Sequence, residues 1–267
     1  MKKVKVFCSW DLGVDMFHDK QVEVYVDSVP MNSIPVDTVR FVLLIEPPEI
    51  LNLEARLLFG EENKTYNYVL THDENILKRC KTAHLFEFGT TWLKEYDFPK
   101  KKFSVSALVG GKLITPGHTL RQKVWFKEER IESIPRNFYL SGNLGGISNI
   151  NNNPVLGSTK HPLFNSQFHI CIENTKRNNW FTEKLIDCLR TKTIPIYWGC
   201  PNIGNWFNTE GFFMVDTFQD IINVCNSLTE NTYNEKLKFV EENFEKCQKF
   251  LTIADRLQDK INTLLAK

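Results

Sequence analysis

The sequence predicts an α/β protein made of two halves, each built around a mostly parallel sheet. Three observations carry this. Strand-like and helix-like segments alternate over residues 3–86, they alternate again from residue 103, and the basic stretch Phe98-Pro99-Lys100-Lys101-Lys102 interrupts the pattern between them. Alternation of this kind produces βαβ units and parallel strands. The chain has 267 residues, room for one large domain or two small ones, and 42% of them are hydrophobic, enough for a proper core. Domains over 1–98 and 99–267 are expected from the break.

In the first half, residues 3–8 and 22–27 alternate with period two, and 39–45 is an apolar run suited to a buried strand. A helix is expected over 49–59, a strand over 66–70, a short helix over 73–79 and a strand over 82–86. The second half reads as strand 103–109, a glycine-rich turn, helix 118–130, strand 137–141 and an Asn/Gly-rich loop over 142–160. Strand 167–172, helix 182–190, strands 193–197 and 212–215, and helices from 218 onward complete the series. The stretch Glu235–Ala266 is helical in pattern, with Leu237, Phe239, Val240, Phe244, Leu251, Leu257, Ile261, Leu264 and Leu265 as packing positions. Two α/β halves leave a cleft between them, and ligands of open α/β sheets lie beyond the carboxyl ends of strands.

Composition excludes several function classes. Lys plus Arg number 33 against 32 Asp plus Glu, so a phosphate-gripping nucleic-acid surface has no bulk electrostatic support. No apolar run approaches the roughly 18 residues of a membrane span, and Met1–Phe7 alternates charged with apolar residues instead of forming a signal sequence. The seven cysteines are an odd set without a C-x-x-C pair, which favours a reducing compartment. Signatures of phosphate-loop, dinucleotide, serine-hydrolase and zinc-protease sites are absent. So is any Asp-x-Asp pair, by which many sugar-nucleotide enzymes hold a metal. A diphosphate bound here must therefore be held by cationic side chains and backbone N–H groups.

The segment Phe168–Asn174 is a strand ending in two polar residues, followed by a loop and a helix whose positions 181, 185, 188 and 189 form a core-facing stripe. Thr182 is a suitable N-cap. Lys184 then falls in the first turn, where a cation opposes the helix dipole unless an anion sits there. Two readings stay open at this point, an anion site and a solvated lysine.

Glu173-Asn174-Thr175, Trp180-Phe181-Thr182-Glu183-Lys184-Leu185 and Thr193-Ile194-Pro195-Ile196-Tyr197-Trp198-Gly199 resemble the C-terminal signature of the α1,3/4-fucosyltransferases, glycosyltransferase family 10. The likeness continues through Phe213-Met214-Val215-Asp216. Phe41–Pro48, Tyr68–Asp73, Phe88–Trp92 and Lys102–Val109 followed by Arg121 echo the family's earlier segments in order. Departures are Thr175 for the usual serine, Trp180-Phe181 for a tyrosine and small apolar pair, and Gly110-Gly111-Lys112 where the family often has Ser-Asn.

The resemblance implies a GT-B-like fold, two Rossmann-like α/β domains facing a central cleft, with the donor on the C-terminal half and the acceptor on the N-terminal half. It implies inversion at the sugar carbon, with Glu46 as general base. Glu46 ends an apolar run before two prolines, where a carboxylate at an apolar rim suits base chemistry and an exposed turn glutamate is the plainer alternative. Glu49 is its nearby rival. For the donor, Lys184 and then Arg121 are expected at the diphosphate. Glu183 is expected at donor hydroxyls, Glu173, Asn174 and Thr182 ordering the loop, Trp180 beside base or sugar, and Gly142, heading Gly142–Gly146, where the backbone approaches the donor. Each has a structural alternative: a helix-favourable glutamate, a buried turn, a tryptophan covering a helix end, an ordinary turn.

The expected activity is thus transfer of L-fucose from GDP-fucose to a glycan hydroxyl. No tightly bound cofactor or divalent metal is expected, and the partners are the nucleotide-sugar and a glycan acceptor, through which a membrane surface would be met. The chain is expected to be a compact bacterial or viral version acting in the cytoplasm of a bacterium or an infected host cell, not secreted. Two alternatives remain open: another donor such as UDP-xylose or a different GDP-sugar, and a glycan- or nucleotide-binding module without catalysis.

Overall fold

A computed structural model describes residues 1–8, 15–93, 95–142, 147–149 and 151–266. Its strands are β1 (Lys2–Lys3), β2 (Lys5–Phe7), β3 (Phe17–His18), β4 (Gln21–Val26), β5 (Thr38–Leu43), β6 (Tyr68–Thr71), β7 (Ala83–Leu85), β8 (Lys102–Val109), β9 (Arg136–Leu140), β10 (Ser166–Ile172), β11 (Ile194–Trp198) and β12 (Phe213–Met214). Its α-helices are α1 (Glu54–Glu62), α2 (Glu74–Arg79), α3 (Pro116–Phe126), α4 (Glu183–Arg190), α5 (Phe218–Ser227), α6 (Thr232–Cys247) and α7 (Ile253–Leu265). Among the described residues no helix is long and apolar enough to cross a membrane.

The chain forms two compact units. The first comprises Met1–Phe88, Arg177–Trp180 and Thr252–Lys267; the second comprises Gly89–Lys176 and Phe181–Leu251. The four-residue piece 177–180 and helix α7 thus belong to the first unit, although the chain around them belongs to the second.

In the first unit a five-stranded sheet runs in the order β2-β4-β5-β6-β7, parallel throughout, beside a short antiparallel pair β1-β3. Within this sheet the strands follow one another in chain order, and the connections place α1 and α2 on one face, leaving the other to α7. Strand alternation sorts the core accordingly. Val42, Leu44 and Val69 pack with Leu57 of α1 and Ile76 of α2. Phe41, Leu43, Ile45 and Leu70 point the other way, against Ile253, Leu257, Ile261 and Leu264 of α7. Burying each of these side chains is worth about 1.5–3 kcal/mol.

The helix expected over 49–59 begins five residues later. The Pro47 carbonyl accepts from Ile50 N (2.8 Å) and Leu51 N (3.0 Å), closing a turn, and Asn52 Oδ1 then accepts from Glu54 N (3.1 Å). The helix continues through Gly60, where a Cβ would stand 2.7 Å from both Thr65 Oγ1 and Tyr66 Cε1.

The second unit holds a parallel sheet in the order β12-β11-β10-β8-β9. After β9 the chain returns past β8 and lays β10 on its other side, so the crossovers diverge between β8 and β10. In open α/β sheets that switch point is where ligands bind, at the carboxyl ends of the strands. Val124 and Trp125 of α3 and Ile221 and Ile222 of α5 cover one face, while Leu185, Ile186 and Leu189 of α4 lie in the core of the other with Cys247 and Phe250.

Two further expectations shift. The helix over 118–130 starts at Pro116, which suits the first helical position, and ends at Phe126 before a 3-10 turn at Glu128–Arg130. The C-terminal helical stretch is two helices separated by the turn at Gln248–Phe250. Leu237 is exposed, and Asn243 is buried in α6 instead, where it accepts from Asn208 N (2.7 Å) and donates to Asn208 O (2.8 Å).

Candidate active site

At the switch point of the second sheet, α3 begins against the end of β10. Gly117 N donates to Asn174 O (2.9 Å), and a Cβ on Gly117 would lie 1.8 Å from Glu173 O. Only glycine permits this approach. One helical turn later, Arg121 Nη2 donates to Asn174 Oδ1 (2.5 Å) and Nε to Gly117 O (3.2 Å). Arg121 is thereby fixed to the strand end.

Glu173 is fully buried and joins β10 to the start of α4. Its Oε1 accepts from Thr182 N (2.8 Å) and its Oε2 from Thr182 Oγ1 (2.7 Å), while Thr182 Oγ1 accepts from Lys184 N (3.3 Å) as the N-cap. Lys184 Nζ lies 3.1 Å from Glu183 Oε1 and 3.9 Å from Glu173 Oε2. On the other side, Lys160 Nζ lies 3.6 Å from Glu183 Oε1 and 3.1 Å from Asp187 Oδ2. Asp187 Oδ1 accepts from Thr91 Oγ1 (2.7 Å) and Trp92 N (3.0 Å), and Lys160 sits 4.2 Å from the centre of the Trp92 ring.

The electrostatics follow from burial and these partners. Burial opposes ionisation of Glu183, but Lys184 and Lys160 outweigh it and bring its pKa down to about 2. Glu173 goes the other way: burial raises it, Lys184 opposes and Glu183 adds to the rise. Asp187 is likewise raised by burial against the pull of Lys160. Burial lowers Arg121, with Glu173 and Glu183 opposing. His118, buried at the start of α3 with Nδ1 accepting from Thr115 N (3.2 Å), is brought down to about 4 by burial and by the charges of Arg121, Lys112 and Lys184. Cations from a loop and two helices therefore converge here, as a phosphate site requires.

The first unit carries the other candidate. Asp27, at a positive φ of 49°, accepts from Ile45 N (2.8 Å) and Glu46 N (3.1 Å) and so fixes the chain where β5 ends. Partly buried Glu46 lines a cavity of about 210 Å³ at the carboxyl ends of β5 and β6, with His72, Asp73 and Arg177. Asp73 caps α2, accepting from Asn75 N (2.8 Å) and Ile76 N (3.2 Å). Arg177 grips Glu49 through Nε and Nη2 at 2.8–3.0 Å and reaches to 3.5 Å from Asp73. Trp180 is buried in this unit, its indole N–H donating to Ile45 O (2.9 Å).

Of the residues singled out from sequence, Arg121, Glu173, Asn174, Thr182, Glu183 and Lys184 come together in the second unit. Glu46 and Trp180 lie in the first. Gly142 is exposed after β9 with Leu156 O 3.9 Å from its ideal Cβ, and Asn143–Gly146 lie outside the described residues. Sequence reasoning missed Lys160, Asp187, Arg177 and His72. Asp187 alone carried a local signal, a carboxylate amid the apolar stripe of α4. Among the described residues no group of three or more His, Cys, Asp or Glu could hold a metal ion.

Residues 145–254 match the model of the glycosyltransferase family 10 (fucosyltransferase) C-terminal region. Over 54 residues the chain is 43% identical to the α-(1,3)-fucosyltransferase FucT of Helicobacter pylori, a match that spans 20% of this chain and 11% of that protein. Among solved structures, an α1,3-fucosyltransferase with GDP-fucose aligns with a TM-score of 0.52 at 18% identity, covering 87% of this chain and 71% of the other. HepE of Anabaena in complex with UDP-glucose aligns with a TM-score of 0.60 at 10% identity, covering 86% and 72%. These similarities give the α/β fold as GT-B-like. The family match spans residues 145–254, the region that holds Glu173, Asn174, Thr182, Glu183 and Lys184, and it is over this region that the chain is similar to glycosyltransferase family 10.

Proposed function

We propose that the chain transfers L-fucose from GDP-fucose to a hydroxyl of a glycan, with inversion at the sugar carbon. The observation that carries this reading is the set of Lys184 and Glu183, inside the region that matches the fucosyltransferase family, with Arg121 of α3 held to Asn174 at the end of β10. The GDP-fucose donor is supported by the family match and by the fold shared with the α1,3-fucosyltransferase bound to that nucleotide-sugar.

In the proposed reaction the acceptor hydroxyl oxygen bonds to the fucose anomeric carbon while Glu46 takes its proton. The bond from that carbon to the β-phosphate oxygen breaks, and its electron pair leaves with GDP. Charge then develops on the diphosphate, where Lys184 and Arg121 stabilise it. Glu183 accepts hydrogen bonds from donor hydroxyls, and Glu173 and Asn174 hold Thr182 and Arg121 in place. Trp180 acts by fixing the backbone before Glu46. We propose that no divalent metal is needed, so activity persists in EDTA; loss in EDTA restored by Mn²⁺ contradicts that part.

Calorimetric titration with GDP, UDP and GDP-fucose, repeated on Lys184→Ala, tests the reading. GDP and GDP-fucose are expected to bind, and the variant to lose at least about tenfold in affinity, or 1.4 kcal/mol. Preference for UDP overturns the fucose donor, and binding of none of them overturns the transferase.

A further inference from the structure

We propose that His118 is a further donor-binding residue, whose Nε2–H donates a hydrogen bond to a phosphate oxygen of the nucleotide-sugar diphosphate. This role rests on the transferase reading above and adds an uncharged contact to the cations named there.

His118 stands in the first turn of α3, one residue after Gly117, whose N–H reaches the end of β10. Its ring is fixed by the cap of that helix, since Nδ1 accepts from Thr115 N (3.2 Å) and lies 2.7 Å from Thr115 Oγ1. A backbone N–H can only donate. Nδ1 therefore carries no proton, and the neutral ring holds its hydrogen on Nε2. Among the described residues none bonds to Nε2, and this nitrogen reaches solvent although the residue as a whole is only 9% exposed. The result is a fixed donor that opens outward with nothing in the protein to receive it.

The surroundings select the ligand. Burial and then the charges of Arg121, Lys112 and Lys184 bring the His118 pKa down to about 4, so the ring is neutral at physiological pH. These cations come from three places. Lys112 belongs to the turn after β8, which Gln122 Nε2 ties to α3 by donating to Gly110 O (3.4 Å) and Lys112 O (3.3 Å). Arg121 follows His118 by three positions, on the same face of α3, and Lys184 belongs to α4. The carboxylates close by are already engaged, Glu173 by Thr182 and Glu183 by Lys184 and Lys160. Three cations and an outward N–H at the start of a helix suit a multiply charged phosphate anion, and disfavour a cation.

The test is calorimetric titration of GDP-fucose at pH 7, 6 and 5 into wild type, His118→Ala and His118→Gln. GDP is not used, because its terminal phosphate titrates at about pH 6 and the sugar ester has no such proton. A diphosphate bonded to the ring raises the imidazole's affinity for a proton, so wild-type binding should tighten at least about threefold as pH falls from 7 to 5. Glu173, Glu183 and Asp187 are present in every variant, so the difference between profiles belongs to His118. His118→Ala should lose at least about tenfold in affinity at pH 7. His118→Gln keeps an oxygen for Thr115 N and an amide that donates, so it should recover part of that affinity and none of the pH response. A role in capping alone makes affinity follow thermal stability across the variants and leaves the pH profile as in wild type. Wild-type affinity in His118→Ala, or a full pH response in His118→Gln, overturns the assignment. If His118→Ala misfolds, the profiles of wild type and His118→Gln decide. UDP-glucose titrated in the same series separates this contact from the transferase reading. Tighter binding of UDP-glucose with the His118 response present overturns the fucose donor alone. GDP-fucose binding without that response overturns the His118 contact alone, and binding of neither overturns both.

Discussion

Gly117→Ala puts the geometry of the second unit under direct stress. The added methyl would lie 1.8 Å from Glu173 O, 2.7 Å from Asn174 O and 2.9 Å from Asn174 C, all backbone atoms that cannot rotate away. Relief requires the start of α3 to withdraw from β10 by about 1.5 Å to reach an ordinary contact near 3.4 Å. That movement sacrifices the bond from Gly117 N to Asn174 O, about 1 kcal/mol, and adds overpacking strain of about 1–3 kcal/mol. Alanine's better helix propensity returns up to about 1 kcal/mol. The net loss is about 1–3 kcal/mol, a fall of about 2–12 °C in the transition of that unit. Arg121 moves with the helix and loses Asn174, so GDP affinity should fall at least about tenfold. Differential scanning fluorimetry with and without GDP reads both effects. Gly142→Ala is the control, since its Cβ would meet nothing closer than 3.9 Å and should change stability by less than about 0.5 kcal/mol. If Gly117→Ala matches wild type in both assays, the packing of α3 on β10 described here is wrong.

Glu183→Gln should remove an acid-sensitive contribution to stability. With a folded pKa of about 2 against an ordinary 4.5, ionised Glu183 stabilises the fold above pH 4.5 and loses that contribution, up to about 3 kcal/mol, as pH falls toward 2. Glu173 and Asp187, raised by burial, act in the opposite sense in both proteins. Urea midpoints at pH 7, 5, 4 and 3 should therefore show the gap between wild type and variant closing with acid, and a constant gap would sink the assignment. Glu46→Ala should lower turnover by at least about 10²-fold while leaving GDP affinity nearly intact, as measured by product formation beside calorimetry. Wild-type turnover in that variant removes Glu46 as the base.

Much of the second unit was legible because its signals are local. A strand ending in Glu173-Asn174, a threonine cap at Thr182 and the stripe at 181, 185, 188 and 189 lie within seventeen consecutive residues, 173–189. Lys160 was not legible, because its carboxylate partner Asp187 is 27 residues away; nor was Asp187's bond to Thr91, 96 residues away. In the first unit, Arg177 meets Glu49 across 128 residues. The membership of 177–180 and α7 in the first unit was hidden for the same reason: the stripe of α7 announces a buried face but not which sheet it covers. The misplaced start of α1 had a different cause. Residues 49–53 read as helix by composition, and only the turn bonded to the Pro47 carbonyl excludes them.

Lys184 changes meaning between sequence and structure. In the sequence, a lysine in the first helical turn, where the dipole disfavours it, leaves two readings, an external anion or a solvated side chain. In the fold it already has two internal carboxylates, Glu183 at 3.1 Å and Glu173 at 3.9 Å, so its placement alone does not require a ligand. Lys184, Arg121 and Lys160 instead balance Glu173, Glu183 and Asp187 one for one. A loss of GDP affinity in Lys184→Ala then has two possible origins: a missing contact to phosphate, or repulsion from carboxylates left with too few cations. The double variant Lys184→Ala/Glu183→Ala separates them. If the lysine touches the diphosphate, the double variant binds GDP at least as weakly as the single one. Recovery to within about threefold of wild type would show that the lysine serves the protein's own charge balance, and the phosphate contact would pass to Arg121.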